Sequence, residues 1–415
     1  MGKFLAYLLA FLLGFAPLQE VKEALTYRRM EELKKESEEE GAFLRAVWLS
    51  QFDMHPLYRD GSKQRDAEDF YQKAMSLCER LLKDGFDTVF LQMRPNGDSM
   101  YESDLFPPSK YVVGAYGGKL QYDPIPLLLL AAKEYGLSVH GWLNPLRLMT
   151  VQEMESVPDE YAVKEWYLCG TGQVKEWEGR LYLDPSYPEV RRLIADGARE
   201  MLERYDLAGI HMDDYFYPTT EEAFDREEFV RSGFDDLGNF RREQINLLVR
   251  ELYQTAHEAG RVYGISPAGN LDSLAEGYYA DAETWCTQVG YLDYIMPQLY
   301  FGFENKYCPF DEILGKWESL VQKGNVRLYV GLAASKAVLG SRGELDAFAG
   351  TTEGRSEWIR NKDILARSLE VLYQSKAAGY CFFSVSYLYD LQTWEIHPDI
   401  RQEYEAFAPL LHTKR

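Results

Sequence analysis

Eight short apolar runs, alternating with longer amphipathic segments, predict an α/β protein: a closed (β/α)8 barrel, or TIM barrel, with long βα loops. The runs are apolar on both faces, as parallel strands beneath a helical layer must be. No Gly-rich phosphate turn follows the first of them, which disfavours an open dinucleotide-binding sheet. The predicted strands cover residues 45–50, 88–93, 137–142, 208–213, 262–266, 294–298, 327–331 and 380–385. Helices are expected at 67–83 and near 125–135, 189–205, 241–259 and 364–378, with long loops at 95–123, 144–187 and 217–239. No Pro/Ser-rich linker or internal repeat divides the chain after Gly41, so 42–415 reads as one catalytic domain.

Two segments precede that domain. Lys3 and the apolar residues 4–16 suit a signal peptide or N-terminal anchor over 1–19, being too short to span a bilayer comfortably. Pro17 is a poor residue to follow a cleavage site, which leaves an uncleaved anchor open. Residues 20–41, including Glu31-Glu32-Leu33-Lys34-Lys35-Glu36, form a charged, helix-prone linker. The expected location is extracytoplasmic, secreted or anchored at the cell surface.

Asp and Glu number 66 against 45 Lys and Arg, a formal charge of −21. Nucleic acid is therefore not an expected partner, and membrane contact is expected only through the N-terminal segment. A neutral substrate fits better, and the 30 Tyr and 8 Trp offer platforms for sugar rings. The five cysteines are odd in number and include no CxxC pair or zinc-type Cys/His spacing, so neither a disulfide framework nor a metal is expected. No cofactor is implied, and the oligomeric state is open.

Polar residues crowd the predicted strand ends, where a barrel carries its active site. They occur in Gln92-Met93-Arg94-Pro95-Asn96-Gly97-Asp98, Trp142-Leu143-Asn144-Pro145-Leu146-Arg147, Asp213-Asp214-Tyr215, Ser266-Pro267-Ala268-Gly269-Asn270 and Pro297-Gln298-Leu299-Tyr300. Packing alone does not explain five such ends, because buried polar groups are costly unless paired. Alternation along the fourth strand puts His211 and Asp213 on one face, with Ile210, Met212 and Asp214 on the other. Asp213 is then expected at the rim above His211, and Asp214 against the helix layer or capping a loop.

With these motifs the chain resembles the bacterial glycosyl hydrolase-like 10 family over about residues 46–387. Further carriers of the likeness are Ser109-Lys110-Tyr111, Tyr122-Asp123-Pro124, His140-Gly141-Trp142, Leu183-Asp184-Pro185, Arg241-Arg242 with Asn246, and above all Gly209-Ile210-His211-Met212-Asp213-Asp214-Tyr215-Phe216-Tyr217-Pro218. The resemblance implies a TIM-barrel cell-envelope protein that hydrolyses envelope polysaccharide, for example peptidoglycan glycan strands stripped of peptide. Phe301 stands where members usually carry Trp, and Ala268 replaces a usual aromatic, which leaves subsite preference open.

Glycoside cleavage normally needs two carboxyl groups. Asp213 is the candidate nucleophile or base, with His211 as its hydrogen-bonding partner. Asp98 and Asp214 are the candidate acids, Asp53 a weaker one; a substrate-assisted route is also open. Arg94, His140, Trp142, Asn144, Arg147, His211, Tyr215, Gln298 and Tyr300 are candidate substrate-binding residues. Two rival readings are a metal-dependent polysaccharide deacylase using His211, Asp213 and His140, and a carbohydrate-binding pseudoenzyme.

Overall fold

Eight parallel strand positions close into a ring in the computed structural model, which describes residues 43–413 other than 215. The expected anchor at 1–19, the linker at 20–41 and Tyr215 lie outside the described residues. From Leu44 onward the chain gathers into one compact unit.

The strands are β1 (Leu44–Leu49), β2 (Thr88–Arg94), β3 (Ser138–Leu143), β4 (Gly209–Met212), β5 (Val262–Ile265), β6 (Tyr294–Ile295), β7 in two pieces (Arg327–Leu328 and Val330–Ala333) and β8 (Gly379–Phe383). Each pairs in parallel with the next, and β8 pairs with β1. The break in β7 does not open the ring: Tyr329 N–H donates to Ile295 O at 2.9 Å, and Gly331 N–H to Pro297 O at 2.9 Å. The outer helices include α1 (Ala67–Lys83), α2 (Ile125–Glu134), α3 (Pro188–Arg204), α4 (Leu237–Glu258), α5 (Ala282–Thr287), α6 (Phe310–Val321), α7 (Ile364–Gln374) and α8 (Arg401–Phe407). In α1, Asp66 caps the Asp69 N–H, and Phe70, Ala74, Leu77, Cys78 and Leu81 form the stripe that the barrel wall buries.

The barrel interior is filled rather than hollow. Trp48, Phe90, Trp142, Tyr294, Met296 and Tyr329 meet there, with Ala46 and Cys381 filling the gaps between rings. Gly264 faces the same space, where a Cβ would lie 2.2 Å from the Tyr294 ring, so glycine lets that ring cross the lumen. His211 stacks on Tyr294 with the planes 5° apart.

Where the structure departs from the expected elements, backbone chemistry gives the reason. The fourth strand ends at Met212 rather than 213, and the sixth stops at Ile295, before Pro297, which has no N–H to give a ladder. Helices α5 and α6 were not anticipated, although α6 carries a clear buried stripe of Ile313, Leu314, Trp317, Leu320 and Val321. The loop after β3 holds a small antiparallel sheet of Arg147–Thr150, Val174–Trp177 and Arg180–Leu183.

The C-terminal helix is pinned by one carboxyl. Glu403, 3% exposed, accepts from the Ile364 and Leu365 N–H groups at the start of α7, each at 3.1 Å. Burial pushes its carboxyl up to about 7 from 4.5. A carboxyl whose value rises on folding adds stability that is complete below 4.5 and lost as pH climbs through about 7. Relative to Glu403→Gln, the natural chain should therefore lose on the order of 2 kcal/mol across that interval, read by denaturant unfolding at each pH. Parallel stability curves for the two chains would contradict this account.

Candidate active site

Asp213 and Asp214 stand just beyond the C-terminal end of β4, at the barrel mouth. Asp213 is 3% exposed, and Trp142 Nε1 donates to its Oδ2 at 3.1 Å. Asn144 Nδ2 donates to the same oxygen. The orientation of Asn144 follows from groups that can only donate. The Gln51 backbone N–H reaches Gln92 Oε1 at 2.6 Å, so Gln92 must present its NH2 to Asn144 Oδ1, also at 2.6 Å. Asn144 is then left with its own NH2 facing Asp213. A backbone amide of β1's exit loop thus sets, through two side-chain amides, the donor on the catalytic candidate.

Asp214 is not turned toward the helix layer. Alternation needs an extended strand, and the chain bends once β4 has ended, with Phe216 N–H donating to Asp214 O at 3.0 Å. Its side chain instead bonds Gln298, within reach of the Arg147 charge. Gln298 is itself held by Ser266 O, at 3.0 Å from Nε2. Burial pushes the Asp214 carboxyl above its usual range, outweighing the Gln298 hydrogen bond and Arg147, which pull it down.

His211 serves a different purpose from the one expected. Trp48 Nε1 donates to its Nε2 at 3.4 Å, which places the ring proton on Nδ1, facing Tyr294 Oη at 3.1 Å; Ser266 Oγ sits 2.9 Å from Nε2. With both nitrogens engaged, it supports the floor of the site rather than bonding Asp213. Burial pushes it well below the usual histidine value, and His140 down to about 4, so both rings are neutral at pH 7. His140 lies against Phe90, 4.9 Å between centroids, inside the barrel rather than in the cleft. Among the described residues no group of three or more His, Cys, Asp and Glu is placed to hold a metal ion, so the His211–Asp213–His140 triad of the metal-dependent reading is not assembled.

Three other candidates leave the site. The register of β2 slips between Gln92 and Arg94, so that Arg94 lies opposite Leu143, on the outer face. Its guanidinium lies over the Phe106 ring at 3.6 Å and reaches Ile194 O at 3.3 Å, 1% exposed beneath α3. Asp98 is fully buried, accepting from Tyr116 Oη at 2.9 Å and Asn96 N–H at 2.8 Å, and these bonds organise its loop. Asp53 is likewise enclosed, tying the loop after β1 to Ser384 and Ser386 after β8. Arg94→Ala should therefore cost about 3 kcal/mol of stability while leaving KM for a glycan within about twofold. A selective rise in KM with unchanged stability would return Arg94 to the cleft.

Trp142, Asn144, Arg147 and Gln298 do gather around the two carboxyl groups, and Tyr300 packs on Phe383 at 6.0 Å. Gln51, Gln92 and Trp48 were not singled out as site residues. Their signal was present, since Ser50-Gln51 closes β1 with the same polar ending that marked the other strands.

Comparison with known proteins bears on the family and the fold. DigH of Escherichia coli (strain K12), named a glycosyl hydrolase, is 30% identical over 324 residues, which span 71% of this chain and 73% of DigH. The glycosyl hydrolase YngK of Bacillus subtilis (strain 168) is 29% identical over 320 residues, 71% of this chain; the chain spans 61% of YngK. The glycoside hydrolase domain of PgaB (BpsB) from Bordetella bronchiseptica is similar in fold, with a TM-score of 0.54 at 15% identity over 88% of this chain and 99% of that domain. Residues 43–344, well over half of the sequence, match the profile described as Glycosyl hydrolase-like 10, and the chain belongs to that family.

Proposed function

We propose that the chain hydrolyses O-glycosidic bonds of a bacterial cell-envelope polysaccharide outside the cytoplasm, with peptide-free peptidoglycan strands as the first substrate to test. The observation that carries this reading is the unlike treatment of two neighbouring carboxyl groups at one strand end. Asp213 receives two N–H donors on a single oxygen, which favours a carboxylate able to attack the anomeric carbon or activate water. Burial favours the protonated form of Asp214, as an acid that protonates the leaving oxygen requires. The net charge of −21 suits a neutral or weakly charged glycan better than a polyanion.

The test is incubation of the full chain with peptide-free glycan strands and a panel of neutral and amino-sugar polysaccharides, with products read by mass. Shortened chains, each cut adding one water and keeping every acyl group, are the expected result. Loss of acyl mass without shortening would favour the deacylase reading. Glycan binding without any product would favour the pseudoenzyme.

A further inference from the structure

On the same face of the barrel, the exit loop of β1 carries an aromatic ring that packing does not explain. Phe52 lies in the first turn of the helix Gln51–Tyr58 and is 62% exposed, an unusual position for phenylalanine. It meets the partly exposed Tyr111 edge to face, with centroids 5.9 Å apart and planes at 86°. His55 approaches the same tyrosine at 6.3 Å. Charged groups border the pair: Lys110, whose Nζ lies 5.3 Å from the Tyr111 centroid and which is paired with Glu153, and Arg147, whose charge acts on both Tyr111 and Asp214.

We infer that Phe52 and Tyr111 form a second sugar-binding subsite on the rim, taking a pyranose ring of the polysaccharide away from the bond being cut. This inference rests on the glycosidase reading of the cleft. A pyranose has an apolar C–H face and a hydroxylated edge; the first matches an exposed aromatic ring, and the second matches Lys110, Glu153 and Arg147. A protein partner would call for a larger continuous apolar area than one ring pair enclosed by charge. The pair is also continuous with the catalytic machinery. Phe52 adjoins Gln51, whose N–H begins the relay to Gln92, Asn144 and Asp213, while Arg147 links Tyr111 to Asp214. An occupant of this subsite would belong to the same glycan chain as the ring at the carboxylates, so its contribution should grow with chain length.

The experiment measures binding of a peptide-free glycan tetrasaccharide and octasaccharide to the full chain carrying Asp213→Asn, by calorimetry, alongside cleavage by the otherwise natural chain. Adding Phe52→Ala should weaken octasaccharide binding by about tenfold and the tetrasaccharide by clearly less. Phe52→Trp should restore the difference, and Phe348→Ala, at another exposed aromatic, should leave both affinities unchanged. Equal losses at both lengths, undiminished octasaccharide binding with Phe52→Ala, or no binding of either glycan would overturn the subsite. Absence of cleavage by the natural chain would overturn the glycosidase reading instead, while the binding ladder would still decide the subsite.

Discussion

Replacing Asp213 with Asn should lower kcat on a susceptible glycan by at least about 10³-fold while leaving fold and glycan affinity nearly intact. The substitution is close to isosteric, and Asp213 is held by Trp142 and Asn144. An amide at this position can still accept from Trp142 through its oxygen, so the local packing survives. What disappears is the negative charge needed to attack, or to take a proton from water. Stability should change by no more than about 1 kcal/mol, because one neutral acceptor remains for the two donors. Residual activity within tenfold of the natural chain would remove Asp213 from the chemistry.

Asp214→Asn should produce a loss that depends on the leaving group. With an unactivated sugar leaving group, no proton reaches the departing oxygen, and kcat should fall by about 10² to 10⁴-fold. With an activated aryl leaving group of low pKa, departure needs little protonation, and the deficit should shrink to about tenfold or less. An equal deficit on both substrates would show that Asp214 positions substrate, or holds Gln298, without donating a proton. Gln298→Ala supplies the contrast: it removes the Gln298 bond to Asp214 without removing the carboxyl, and should alter both substrates alike.

Much of the fold was legible because periodicity is a local property. Helix 67–83 coincides with the observed α1, since its apolar stripe and basic last turn lie within the segment and its Asp66 cap directly precedes it. The loss of legibility at the site has a definite physical origin. Asp214 was assigned by alternation, and alternation stops where β4 stops, one residue before the pair. Arg94 shares parity with Gln92, yet a register slip sends it to the opposite face. Asp98 and Asp53 sit at strand exits, as a catalytic acid would, but loop donors drawn from distant segments enclose them. His211 lies beneath the rim, but its partners Trp48 and Tyr294 come from β1's end and β6, which no local pattern could specify. Trp142, Asn144 and Gln298 lie beside the two carboxyl groups because a polar residue closing an apolar strand needs a partner wherever the barrel brings one.

The division of labour between Asp213 and Asp214 is the core of this account, and the pH dependence of kcat/KM tests it most directly. On a glycoside of intermediate leaving-group pKa, whose departure still needs a proton but which both chains cleave measurably, the natural chain should give a bell. Its alkaline limb should fall above the ordinary aspartate range, because activity is lost as the burial-raised Asp214 carboxyl gives up its proton. In Asp214→Asn that alkaline limb should vanish while the acid limb persists. An alkaline limb unchanged in the variant would place the acid elsewhere and contradict the assignment.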